Sequence, residues 1–372
     1  MSRPLAIICT QSDLISDYRI HKMSFTLRQV GFDVQYVTRS HHLHKDKPAD
    51  DLHIMRLLFE RGPLFYAEFN LRLWWHLLWR RCRLVVSVDL DSLAGCFLAS
   101  RMTGKQLLWD SHEYFPEVPE IANKPVVKWV WNKIQDIFVP HLNHCVTVCQ
   151  SIADIFQQRY GKHFHVIRNA PLSTRALDYP TTPSQNHSRP FTILYVGAVN
   201  IGRGVEESIE ALTQLPDCRL LVVGDGDVYQ QCVDLAESLG VSNQVTFTGR
   251  KPFNMLTQYM QQADLGICLF RNLSLNYYYC LPNRLFDFIQ AGLPVMAVDF
   301  PEVSRIVKGY NVGITMPEIS VGGIVEAVRF AQSHPNEVSL WKNNMQIAAK
   351  ELVWENDAHS IIAELSDIIH QD

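Results

Sequence analysis

Residues 276–307, NYYYCLPNRLFDFIQAGLPVMAVDFPEVSRIV, read as a loop, a helix and then a strand. Pro282 precedes Asn283, a residue suited to a helix N-cap, and the helical pattern runs to Gly292 before Pro294 opens an apolar strand. A helix starting here turns free amides toward any nearby anion, and Arg284 adds a positive charge. Asp287, one turn further on, is a carboxylate within reach of a sugar hydroxyl. An ordinary strand–helix–strand unit with an exposed Arg and Asp would show the same pattern.

The same alternation extends in both directions. In the first half, apolar runs at 5–9, 32–38, 83–88, 106–109 and 145–148 are separated by helical segments. In the second half, strands at 192–196, 219–223, 245–248, 264–270 and 294–298 alternate with helices at 205–215, 229–239 and 285–291. Strands separated by helices imply parallel sheets, because parallel pairing needs a long crossover. Residues 173–190, STRALDYPTTPSQNHSRP, carry no periodicity and interrupt the alternation, so they read as a linker. The predicted organisation is a Rossmann-like domain over 1–172, a linker over 173–190, a second Rossmann-like domain over 191–354, and a closing amphipathic helix over 355–372. Ligands of such sheets bind beyond the carboxyl ends of the strands.

The chain has 372 residues, 47% hydrophobic and 19% charged, which fits about two globular domains and excludes whole-chain disorder. A net charge of −4 and a pI near 6.4 give no global attraction to nucleic acid. Nine scattered cysteines without a Cys-x-x-Cys pair suggest packing roles in a reducing cytoplasm. No apolar stretch is long enough to span a membrane without charge. A cytoplasmic protein, with the inner membrane face as an optional address, is the expectation.

Further candidate chemistry lies at strand ends. YVGAVNIGRGVEESIEAL (195–212) ends a strand at Gly197 and enters a helix through Arg203 and Gly204; glycines let backbone approach a phosphate. LLVVGDGDVYQQ (220–231) ends a strand at Gly224, and FTGRKPFNML (247–256) carries Arg250 beside Lys251. LLWDSHEYFPE (107–117) places His112 between Asp110 and Glu113, just beyond a strand. Arg19 lies in the first helix. Asp225–Asp227 and Asp89–Asp91 have Asp-x-Asp spacing, but Asp91 or Ser92 fits a helix cap better than a metal ligand. The His-rich run at 40–47 reads as a surface loop, since no carboxylate or Cys shares its spacing.

Taken together, these blocks resemble the signatures of family 4 retaining glycosyltransferases of the GT-B fold. The 276–307 block is similar to the branch reading slPnKlFeY-aaGlPvi, and 107–117 is similar to lvyDsHE-fpe. The resemblance covers nearly the whole chain in the correct order. It implies two Rossmann-like, doubly wound α/β domains with an interdomain cleft. It also implies transfer from a UDP- or GDP-linked sugar to a glycan or lipid-linked hydroxyl, with neither a metal nor a further cofactor. Donor contacts carry over to Gly197, Arg203, Gly204, Gly224, Arg250, Asn283, Arg284, Leu285 and Asp287. His112 takes the catalytic role toward the sugar, and Arg19, Asp110 and Glu113 are acceptor or loop candidates.

Two positions depart from the family pattern. Tyr279 stands where the first Glu of Glu-x7-Glu is usual, and Ala198 stands where a diphosphate-binding Arg is usual. Alternative readings are a nucleotide-sugar epimerase of related fold, or a non-catalytic homologue acting as a partner protein.

One segment stands apart from these motifs. Residues 69–86, from Phe69 to Val86, read FNLRLWWHLLWRRCRLVV and crowd indoles against arginines. An aromatic, basic helix suits a lipid interface, which would give peripheral membrane contact. A core helix with snorkelling arginines is the alternative.

Overall fold

A computed structural model describes residues 3–12, 14, 17–39, 51–173 and 189–370. Residues 40–47 and most of the linker, 174–188, lie outside the described residues. The chain divides into two compact units, Met1–Asn169 with Trp354–Asp372, and Ala170–Val353.

The first unit is built on strands β1 (Leu5–Cys9), β2 (Asp33–Arg39), β3 (Leu52–Met55), β4 (Leu84–Val88), β5 (Gln106–Ser111), β6 (His144–Thr147) and β7 (His165–Val166). Its crossover helices are α1 (Tyr18–Val30), α2 (Pro63–Trp79), α3 (Leu93–Thr103), α4 (Pro125–Phe138) and α5 (Gln150–Tyr160). The sheet runs β3-β2-β1-β4-β5-β6-β7, with every pairing parallel. Direction reverses between β1 and β4, which opens a crevice beyond their carboxyl ends. Right-handed crossovers put α2–α5 on one face of this sheet and α1 on the other.

The second unit repeats the plan with β8 (Phe191–Val196), β9 (Cys218–Val223), β10 (Val245–Phe247), β11 (Leu265–Cys268), β12 (Val295–Val298) and β13 (Gly313–Met316). Its longer helices are α6 (Val205–Ala211), α7 (Tyr229–Ser238), α8 (Asn283–Gln290), α9 (Pro301–Gly309), α10 (Val321–Ser333) and α11 (Pro335–Glu351). The order is β10-β9-β8-β11-β12-β13, again all parallel, so the switch falls between β8 and β11. Strands β11 and β12 are buried along their whole length, which is why they read as unbroken apolar runs. The edge strands β3, β7 and β13 escaped the sequence reading because two to four residues carry too little alternation.

Two sequence expectations change. The aromatic segment is not one helix over 69–86: α2 ends at Trp79, Arg80 turns to extended backbone, and residue 84 already begins β4. Trp354, placed by sequence just ahead of the closing helix, is its first residue.

That helix, α12 (Trp354–His370), packs against α1 in the first unit. The Trp354 indole is fully buried, donates from Nε1 to Thr26 Oγ1 at 2.8 Å, and lies under the cations of Arg19 and Lys22. Asp357 accepts from Arg168 Nε at 2.7 Å and Nη2 at 2.6 Å, a bidentate pair. Further along, Glu364 bridges His144 and His165, and these contacts hold its pKa down to about 2 against the effect of burial. Trp354→Ala is expected to cost about 3–5 kcal/mol in denaturant unfolding of the first unit. Trp354→Phe, which keeps the ring but loses the Thr26 bond, is expected to cost only about 1–2 kcal/mol.

Candidate functional site

The loops at the second unit's switch point bring together residues 70 to 90 positions apart. Gly197 ends β8 with φ +128° and donates its amide to Val223 O; Gly224, φ +159°, sits against it. A Cβ on Gly224 would lie 1.8 Å from Gly197 O, so only glycine permits this approach. Gly204, φ +77°, starts α6 against Leu269, where a Cβ would meet a side-chain carbon at 2.7 Å.

Arg203 leaves this loop and stacks on Phe270 and Tyr277, with Nη2 donating to the Tyr277 hydroxyl at 3.0 Å. Arg284 comes from α8 and stacks on Tyr195 and the same Phe270, at 4.5 and 4.6 Å. Two guanidiniums therefore share one aromatic ring. Arg284 is only 6% exposed, and its Nη1 donates to Val196 O at 3.2 Å. Its Nε and Nη2, and Arg203 Nε, are buried without a hydrogen-bond partner. Neither arginine meets a carboxylate among the described residues. Burial raises the Cys268 thiol to about 11 and the Cys280 thiol to about 12, so these neighbours stay neutral. A buried cation is costly unless paired, and among the described residues these two are held by aromatic faces and not by carboxylates.

Helix α8 corrects two details of the sequence reading. Pro282, not Asn283, fills the cap position, and Asn283 is the exposed first helical residue. Leu285 is sealed in the core and its amide donates to Pro282 O at 3.0 Å, so it offers a ligand neither side chain nor N–H. Asp287 is half-buried one turn on. Arg250 is exposed in the loop after β10, and β9 separates it from the switch strand β8, about 10 Å away at ordinary strand spacing.

In the first unit, β5 delivers His112 to a cluster of carboxylates. Its Nε2 lies 3.2 Å from Asp110, its Nδ1 3.8 Å from Asp89 and 3.9 Å from Asp17. The His112 amide donates to Asp89 Oδ1 at 2.8 Å. Asp17 also caps α1, accepting from the amides of Arg19 and Ile20. Asp89 adopts φ +57°, a conformation that side chains other than glycine rarely take.

Arg19, a candidate acceptor contact from sequence, is 2% exposed and committed to Asp110 through Nε and Nη2, the latter at 2.6 Å, with Nη1 donating to Ile167 O. It cannot meet a ligand; it holds Asp110 instead. Burial works against the Asp110 carboxylate, but Arg19 and then His112 hold its pKa well below the usual range. Burial likewise opposes charging of His112, yet Asp110 and Asp89 raise its pKa to about 9. The carbonyl of Glu113 accepts from Ser111 Oγ and Phe115 N, which pins the loop. Ser92 occupies the cap position of α3, but its hydroxyl turns back to Val88 O at 2.7 Å instead of capping the helix. Among the described residues, no group of three or more His, Cys, Asp or Glu is placed to hold a metal ion.

Sequence reasoning missed Tyr195, Phe270, Tyr277 and Asp17. Each is an unremarked aromatic or cap in one dimension and becomes functional only beside a partner from another loop.

Two family profiles match the chain in series: "Glycosyltransferase Family 4" over residues 18–170 and "Glycosyl transferases group 1" over 182–347. This is a family 4-like GT-B glycosyltransferase chain. The GT-B fold is shared with sucrose-phosphate synthase from Thermosynechococcus elongatus (TM-score 0.76, 16% identity, 99% of each chain). It is shared too with Anabaena HepE in complex with UDP-glucose (TM-score 0.74, 15% identity, 98% of this chain and 100% of that one). Among curated relatives, lipopolysaccharide glucosyltransferase WaaG of Escherichia coli is 31% identical over 183 residues, 48% of this chain and 46% of that protein. The Vi polysaccharide biosynthesis protein VipC/TviE of Salmonella typhi is 24% identical over 248 residues, 63% of this chain and 39% of that protein. The matched stretches span less than half of these relatives' lengths.

The His112 cluster makes a pH prediction. A folded-state pKa of about 9, raised from 6.5, means its stabilising contribution is complete below pH 6.5 and lost as pH rises through about 9. The stability difference between wild type and His112→Gln is therefore expected to shrink between pH 7 and 10. Imidazole NMR should show a midpoint near 9 that drops in Asp110→Asn.

Proposed function

We propose that this chain transfers a sugar, with retention of anomeric configuration, from a UDP- or GDP-linked donor to a hydroxyl of a glycan or lipid-linked acceptor. Surface polysaccharide or lipopolysaccharide assembly is the setting, supported by the WaaG and VipC/TviE relatives. The observation that carries this reading is the Arg203–Arg284 pair: two guanidiniums with three buried N–H groups lacking acceptors, neither of them in an ion pair with a carboxylate among the described residues. A nucleoside diphosphate supplies the missing charge. As the glycosidic bond breaks, negative charge grows on the departing phosphate, and preorganised donors stabilise that state more than the ground state. The fixed cations make a metal ion unnecessary for that purpose. Gly197, Gly204 and Gly224 keep the approach to backbone open, and Asp287 would accept from the ribose hydroxyls. HepE, of the same fold, is described in complex with UDP-glucose.

With a pKa near 9, His112 is an imidazolium at neutral pH. It can donate a hydrogen bond but has no lone pair to take a proton, so its role toward the sugar is to position and stabilise, not to act as a general base.

Calorimetry with a panel of nucleotide sugars, with and without chelator, tests the reading. One UDP- or GDP-sugar should bind irrespective of chelator. Arg203→Ala should lose about 1.5–3 kcal/mol of donor affinity. Arg284→Lys, which keeps charge but loses the planar fork, should also weaken binding. His112→Ala should retain donor binding while turnover falls. A folded chain that binds no member of the panel would overturn the proposal, and interconversion of the free sugar nucleotide would replace it with the epimerase.

A further inference from the structure

Two of the rings that hold Arg203 and Arg284 are carried by a segment with little core of its own. Phe270 follows β11 and is buried, and Asn276 is buried at the far end, but Arg271, Asn272, Leu273 and Leu275 between them are exposed. Tyr277 belongs to the one-turn helix Leu275–Tyr278, where Ser274 Oγ caps the start by accepting from Tyr277 N at 3.3 Å. A segment that buries so little apolar area is placed by its polar contacts. Arg271 supplies these from backbone and side chain alike. Its amide donates to Gly202 O at 2.8 Å, and Leu273 N folds back to its carbonyl at 2.9 Å. Its guanidinium donates to Glu207 Oε1 through Nε, at 2.8 Å, and through Nη2. The two loops lie so close that a Cβ on Gly202 would stand 2.9 Å from Leu273 Cδ1 and 3.2 Å from Arg271 Cβ.

Stability does not account for Glu207. It lies in the first turn of α6, is 7% exposed, and its Oε2 is buried without a hydrogen-bond partner. Its partner cation is 57% exposed. A desolvated carboxylate with one oxygen unanswered adds little to folding, and an apolar side chain would fill the same place at lower cost. What the pair does supply is position. It ties the helix that begins just after Arg203 to the residue that follows Phe270. Gly204 against Leu269 and Gly202 O on Arg271 N fasten the same two loops through backbone and packing.

We propose that Glu207, acting through Arg271, is a positioning residue for the donor site, a role that rests on the donor reading above. The ion pair holds residues 270–277 so that Phe270 faces both guanidiniums and Tyr277 faces Arg203. Neither member of the pair has to touch the ligand. A guanidinium stacked on a ring keeps its charge, and its aim follows the ring. A displaced Phe270 would therefore misdirect two cations at once, at a site whose value lies in charge fixed before the ligand arrives.

UDP and GDP are titrated calorimetrically into the full chain, wild type and variants, with a melting curve for each. E207A and R271A should each weaken binding of the diphosphate that the wild type takes by about tenfold, and E207A/R271A by no more than either alone, because both act through one link. E207Q and R271K, which keep a hydrogen bond but lose the charge or the planar fork, should fall between. R189A is the control: it breaks the Arg189–Asp264 pair at the amino ends of β8 and β11, and should lower the melting temperature while affinity stays at the wild-type value. Equal affinity in wild type and R271A overturns the proposal and leaves the donor reading standing. So do losses that add in the double variant, or an R189A that weakens binding as much, which would mark general destabilisation. A folded wild-type chain that binds neither diphosphate overturns the donor reading, and this proposal with it. Arg271 is exposed, so R271A carries the test even where E207A fails to fold.

Discussion

Parallel pairing constrains both units before any side chain is considered. Each strand must be followed by a crossover to return to the same end of the sheet, so all carboxyl ends collect on one edge. Where the strand order reverses, at β1/β4 and at β8/β11, adjacent connections leave in opposite directions and a crevice opens between them. The site residues discussed above sit at or beside these points. His112 and Asp89 follow β5 and β4; Arg203 and Phe270 follow β8 and β11; Arg284 lies on the helix that leads from β11 to β12.

The two units use charge in opposite ways. In the first, burial is compensated internally: Arg19 neutralises Asp110, and Asp110 in turn holds His112 as a cation, giving a connected chain of hydrogen-bonded charges. Such a network fixes geometry and leaves little charge to bind a ligand. In the second unit, Arg203 and Arg284 are held by aromatic faces instead of carboxylates. Cation–π contact orients a guanidinium without cancelling its charge. The pair therefore remains available to an anion, at a cost in stability that binding offsets.

The chain ends by returning to its first unit. Helix α12 brings a buried indole to α1, a carboxylate to Arg168 and another to the His144–His165 pair. The opposite face of that sheet carries α2, α3 and α4, where Trp75, Trp79 and Trp129 are exposed. One face thus carries the returning helix, while on the other these indoles stay exposed among the described residues.

The sequence alone determined the class of the fold. Strand and helix periods differ enough to be read without neighbours, glycines mark strand ends, and continuous apolar runs mark strands buried on both faces. It also placed Gly197, Gly224, Arg203 and His112 at strand-end loops, and Arg284 in the first turn of a helix, where chemistry is possible. Only the tertiary structure decided which of these do the same job. Arg19 and Arg284 are both buried arginines in helices, alike in one dimension, yet one meets Asp110 from 91 positions away and the other meets Tyr195 and Phe270. Leu285 lies within the same helical motif as Arg284 but points into the core, because one residue along a helix rotates a side chain by about 100°. Local sequence sets backbone period and residue type; whether a charge is cancelled or left open depends on partners that only the crossovers bring into contact.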